Sequence, residues 1–210
     1  MSLYFEYGLD AVEHLKKKDK RLGDAIDRIG PIQRKTEDDL FTGVVHHIVG
    51  QQISTAAQAT VWGRLQGLLG EVCTDTICLC SREALQSCGT TFKKADYILE
   101  FAQKVQSGGF NVEALRDMAD KDVIAALSSL NGIGVWTAEM LMIFCMQRPD
   151  IVSYGDLAIR RGMRMLYRHR KLDKKLFEKY TRRYTPYGSV ASLYLWAIAG
   201  GAIPGLEDPE

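Results

Sequence analysis

Residues 135–146 carry a single charged side chain, Glu139, in twelve positions. A helix that is apolar around its whole circumference is normally a central one, packed on all sides, so the rest of the chain is expected to wrap around it. The remaining segments have the period that this wrapping needs. Apolar residues recur at three- and four-residue spacings, and the alternating Val, Ile and Tyr runs that mark strands are missing. The expected fold class is therefore all-α. Val44, Val45, Ile48 and Val49 set one apolar face that ends at Gly50-Gln51-Gln52-Ile53. Ser54 can then cap a helix over residues 55–69, with Gly70 as its stop. Further helices are expected over residues 92–105, 122–130, 156–167, 174–184 and 189–199, with no internal repeat or low-complexity linker between them. The acidic end, residues 204–210, reads as loosely ordered.

With 210 residues, 46% apolar and 25% charged, the chain can bury a full core as one domain or two small ones. Residues 1–19 alternate apolar and charged side chains, unlike a secretion signal, and no stretch is long and apolar enough to span a bilayer. A soluble, cytoplasmic protein with no membrane association is expected. Four of the five cysteines, Cys73, Cys78, Cys80 and Cys88, fall close together, with Cys145 apart. They contain no Cys-x-x-Cys pair and no nearby histidine, so reduced structural thiols are expected rather than a metal centre. The net charge is only +1, but residues 160–183 hold eleven Lys or Arg against two acids, Asp173 and Glu178. Such a basic face suits a phosphate backbone; it also suits a solvated helix surface.

The segment Leu130-Asn131-Gly132-Ile133-Gly134-Val135-Trp136 places two glycines between two helical stretches. A turn that presents successive amides at a helix start makes an anion nest, and glycine lets the backbone approach a phosphate closely. A glycine-terminated helix would give the same letters. About twenty residues later comes Ser153-Tyr154-Gly155-Asp156, where Asp156 sits at a helix start and the macrodipole favours an anion. Locally, this run also fits a plain capping box. Trp136 and Trp196 can simply fill a core, and Gln51 and Gln52 can simply end a helix in solvent.

Together these motifs resemble the helix-hairpin-helix DNA glycosylase superfamily, whose signature is this hairpin followed by a Gly/Pro-rich loop and an aspartate. The resemblance covers about residues 40–200, and its closest likeness is to the alkylation-repair branch, the 3-methyladenine DNA glycosylase II type. Branches that also nick the strand carry a lysine where this chain has Trp136, so no lyase step is expected. Iron–sulfur branches place four cysteines near the C-terminus, and none follows Cys145. Trp196 matches an aromatic wall residue of the alkylation-repair branch. Met140 departs from the tyrosine its relatives often carry, which leaves the substrate range open, and an extra N-terminal β-rich domain found in some members is not evident.

The resemblance implies two helical subdomains, residues 1–37 with 147–210 and residues 38–146, with the active-site cleft between them. It makes Asp156 the catalytic carboxylate, which would stabilise positive charge building on the sugar and orient a water. Trp136, Met140 and Trp196 would form the base pocket, where electron-rich rings can stack on a cationic alkylated purine. Gln51 and Gln52 would lie on the wedge loop that fills the gap left by the flipped base, with Gln52 at the wedge position itself. The amides of Gly132, Ile133 and Gly134 would grip a phosphate, and the carbonyls of Ser128, Leu130 and Ile133 would hold a monovalent cation under the turn. No cofactor is required. The expected partner is double-stranded DNA containing a damaged base, bound by a monomer that is nucleoid-associated when on DNA. Two alternatives remain at this level: a non-catalytic helix-hairpin-helix DNA grip, and a glycosylase for an oxidised or deaminated base.

Overall fold

The computed structural model describes residues 4–37 and 39–209. Among them, twelve α-helices and one short 3-10 segment, Glu113–Asp117, make up the regular structure, and the β-type pairing is an isolated bridge between Tyr4 and Lys35. No helix is long and apolar enough to cross a membrane among the described residues. The chain divides into two compact units, Met1–Thr36 with Met142–Glu210, and Glu37–Leu141. The boundary expected at 37/38 touches Asp38, which lies outside the described residues. The boundary expected at 146/147 falls instead at Leu141/Met142, inside a helix whose last turn belongs with the terminal segments.

The terminal unit contains α1 (Leu9–Lys18), α2 (Lys20–Ile29), α10 (Leu157–Tyr167), α11 (Lys174–Tyr184) and α12 (Gly188–Ala199). α10 lies directly against α12, because Gly162 brings its backbone up to the Leu195 carbonyl; any side chain there would collide with it. Leu15, Leu22, Ile26, Ile159, Met163, Leu195 and Ile198 are buried, each large apolar side chain contributing about 1.5–3 kcal/mol on burial. A polar knot fastens α2 to α10 and α11. Tyr167 donates its hydroxyl to Asp19 (2.8 Å) and meets the Tyr184 hydroxyl (2.7 Å), while Arg183 donates to the same carboxylate (2.9 Å). Burial holds both tyrosine hydroxyls well above their ordinary pKa, so they stay neutral.

The central unit contains α3 (Leu40–Gly50), α4 (Thr55–Leu69), α5 (Thr74–Cys78), α6 (Arg82–Ser87), α7 (Phe92–Gln106) and α8 (Asp120–Ser128). α9 (Val135–Phe144) begins in it. Caps written in the sequence set the starts: Asp39 accepts from the Phe41 and Thr42 amides, Ser54 from Ala57 and Thr91 from Lys94. Gly70, at φ 72°, ends α4 where a glycine stop was expected. α7 is the hub of this unit, packing Ala95, Ile98, Phe101 and Ala102 inward, with Phe101 stacked on Phe41 at 4.9 Å between ring centres. The apolar α9 is buried from Thr137 through Ile143 except for the partly exposed Glu139, whereas Val135 and Trp136 at its start are 55% and 44% exposed.

The acidic end departs from expectation. Asp208 accepts from Arg164 Nε (2.9 Å) and from its terminal nitrogen, with Arg161 3.8 Å away, so the segment before Glu210 is tied to α10. That pairing also divides the basic face. Arg161, Arg164 and Arg183 are engaged with carboxylates, and Arg160 lies over the Tyr154 ring at 5.1 Å. Arg168, Arg170, Lys171, Lys174, Lys175, Lys179 and Arg182 are exposed.

Candidate active site

Asp156 is the N-cap of α10. Its Oδ1 accepts the Ile159 amide at 2.8 Å, and the residue is only 7% exposed. The capping reading is thus physically realised, with Asp156 itself as the cap. It does not exhaust the residue. Trp196, forty positions away on α12, donates Nε1–H to the same Oδ1 at 3.2 Å. The Trp196 ring stacks on Phe144, with centroids 5.5 Å apart, and Arg34 lies over the far ring at 5.1 Å. A helix cap needs no indole donor. Two donors from different elements fix the direction of this carboxylate, which a charge-stabilising group requires.

The loop before Asp156 is held equally firmly. Ser189 Oγ accepts the Ile151 amide (3.0 Å), Ser192 Oγ donates to the Ile151 carbonyl (2.9 Å), and both serines are fully buried. Tyr154 packs edge-on against Phe177 beneath Arg160.

In the central unit, the hairpin and the loop that follows α3 come together. Gly132 adopts φ 85°, a left-handed conformation that favours glycine. A methyl group at Gly132 would run into the Tyr97 ring. Gln51 donates Nε2–H to the Gly132 carbonyl at 2.6 Å, and Lys94 Nζ donates to the carbonyls of Val49 (2.9 Å) and Gln51 (2.6 Å). Burial holds the Lys94 ammonium below its ordinary pKa. Gln51 is therefore committed within the protein, while Gln52, at φ 58°, is exposed between these anchors. Under the turn, the Leu130 carbonyl accepts the Ile133 amide at 3.1 Å, and Ser128 Oγ is buried without a hydrogen-bond partner among the described residues. An orphaned buried hydroxyl in the segment that leads into the turn suits an oxygen-liganded cation.

The structure thus joins Asp156 to Trp196, and Gln51 to Gly132. Met140 is buried, and it lies with the exposed Trp136 in the central unit. Phe144, Arg34, Lys94 and Tyr97 were not singled out from the sequence. Phe144 alone left a signal, since it follows Met140 by four residues on the same helix face.

Comparison with known proteins shows which family the chain is similar to. Residues 45–186 match the family model described as HhH-GPD superfamily base excision DNA repair protein. The chain belongs to this superfamily. It is similar to a crystal structure of a DNA-3-methyladenine glycosidase from Bacillus halodurans, at 35% identity and a TM-score of 0.86, over 95% of this chain and 93% of that one. The Schizosaccharomyces pombe 3-methyladenine DNA glycosylase in complex with abasic DNA aligns with a TM-score of 0.80 at 25% identity, covering 93% of this chain and 98% of that one. Among curated sequences, the DNA-3-methyladenine glycosylase 1 of S. pombe is 28% identical over 182 residues, 84% of this chain and 80% of the relative.

Proposed function

We infer that this chain is a hydrolytic DNA glycosylase that removes alkylated purines of the 3-methyladenine type from duplex DNA in base excision repair. The observation that carries the reading is the double anchoring of Asp156 by the Ile159 amide and the Trp196 indole, in a chain whose relatives bear that enzyme name.

As the C1′–N bond breaks, its electron pair goes to the base and positive charge builds on the sugar. A fixed carboxylate at that point stabilises the charge where it develops. Water then bonds to C1′ and loses its proton to solvent through Asp156. An N-alkylated purine is already cationic and departs neutral, so no acid has to protonate it. We assign Trp136, Met140 and Trp196 to recognition of the base, the two indoles offering electron-rich faces to a cationic purine. With Trp136 where a lyase would hold its lysine, no amine attacks the sugar and the strand stays intact.

The amides of Gly132, Ile133 and Gly134 hold a backbone phosphate, and Gln52 enters the gap left by the extruded base. The carbonyls of Ser128, Leu130 and Ile133, together with the orphaned Ser128 hydroxyl, are the groups that would hold a monovalent cation. When bound, it supplies positive charge near the phosphate and takes no part in bond cleavage. The protein acts as a monomer on damaged duplex DNA within the cell.

A panel of duplexes carrying single 3-methyladenine, 7-methylguanine, 8-oxoguanine or hypoxanthine lesions tests this reading. The expected result is heat-labile abasic sites from the methylated purines, with strands unbroken before heating. Release confined to the oxidised or deaminated bases, or direct strand cleavage, would overturn it.

A further inference from the structure

We propose that Lys94 and Gln51 are positioning residues for base extrusion, locking the wedge loop and the phosphate-binding hairpin into one rigid piece. The proposal rests on the glycosylase reading above. Its basis is a set of contacts within the central unit. Lys94 and Tyr97 stand three residues apart on α7 and so share a face. Lys94 Nζ grips the carbonyls of Val49 and Gln51, on either side of Gly50 where α3 ends. Tyr97 abuts Gly132 in the hairpin. Gln51 closes the triangle through the Gly132 carbonyl, 81 residues away in sequence. From the α4 side, Gln58 Nε2 donates to the His46 carbonyl at 3.1 Å and steadies the last turn of α3. Gln52 is thereby presented in a left-handed conformation between fixed points.

An ammonium beside a helix C-terminus stabilises that helix whatever the protein does. What this capping role does not account for is the link onward to the hairpin through Gln51. Extruding a base costs unstacking and unpairing free energy, and least for a base that is already unpaired. A wedge that must order itself as it inserts loses part of its contact energy to that ordering, whereas a preorganised one does not. The hairpin fixes the phosphates and the wedge displaces the base, so a rigid link sets the distance between these two points of force. Removing the link should therefore hurt most where the work of extrusion is greatest.

The test compares single-turnover release of 7-methylguanine from a duplex where it pairs with cytosine and from one where it sits in a single-base bulge. In Lys94→Met and in Gln51→Ala, the ratio of paired to bulged rates should fall about tenfold relative to the unaltered protein, the scale of one lost buried hydrogen bond. Lys94→Arg should recover most of that ratio. The dependence of DNA affinity on salt should be unchanged in Lys94→Met, because the ammonium faces protein carbonyls rather than phosphate. Equal slowing on both duplexes, or a salt slope reduced by about one, would overturn the proposal. Gln51→Ala keeps the test available should Lys94→Met fold poorly. Failure of the unaltered protein to release base from either duplex would instead strike the glycosylase reading itself.

Discussion

The terminal unit and the central unit build their functional features from different materials. Around Asp156 the parts are side chains: a carboxylate, an indole donor, a stacked phenyl ring and an arginine over it. At the hairpin the parts are mostly backbone: a left-handed glycine, carbonyls that receive Lys94 and Gln51, and the amides of the turn. The contrast suits the two tasks proposed for them. Bond breaking needs a charge at one point, which a side chain supplies, while holding a phosphate regardless of sequence needs only amides and close approach. Substitutions at Asp156 and at the hairpin glycines should therefore separate chemistry from grip.

The largest expected effect is at Asp156. Replacing it with Asn keeps a cap-competent oxygen for the Ile159 amide but removes the charge, and single-turnover release should fall at least about 100-fold, with DNA affinity within a few-fold by fluorescence anisotropy. Gly132→Ala strikes the other unit. The methyl meets Tyr97 and the residue must hold φ 85°, so affinity for undamaged and damaged duplex alike should weaken about tenfold, in line with about 1–3 kcal/mol of strain. Trp196→Phe retains an aromatic ring against Phe144 and deletes the Nε1 donor; release should slow about tenfold with affinity kept. An equal loss of affinity would blur the comparison.

The smallest effect concerns pH. Burial, followed by the neighbouring His46, lowers the pKa of His47 to about 4, with Glu37 opposing. The unfolded chain takes up a proton near its ordinary pKa of 6.5, but the folded one resists until about 4. Stability of the central unit is therefore lost as pH falls through this window. Thermal melts between pH 7 and 4 should show a shallower decline in His47→Gln than in the unaltered protein.

Much of the fold was legible in the sequence because its signals are local. Period, caps and glycine stops placed α4 at residues 55–69 and α11 at 174–184, and two glycines marked the hairpin. Pairings across long separations left no such mark. Trp196 reaches Asp156 over forty residues, and Lys94 reaches Gln51 and Val49 at the end of α3 over 43 and 45; nothing near either residue announces its partner. The tail misled for a related reason. Composition suggests loose order, but Asp208 meets Arg164 forty-four residues back. Gln51 and Gln52 read alike as neighbours, and only the structure separates the residue turned into the hairpin from the one left exposed.

The division of labour between carboxylate and backbone is tested most directly by measuring Kd and the saturating single-turnover rate for Asp156→Asn and Gly132→Ala on one duplex that carries the methylated purine in a single-base bulge, where little work of extrusion remains. The account predicts that Asp156→Asn loses rate and keeps Kd, whereas Gly132→Ala raises Kd and recovers its rate once DNA is saturated. If both variants lost rate and affinity in the same proportion, the two units would not be separable in function, and the account would be contradicted.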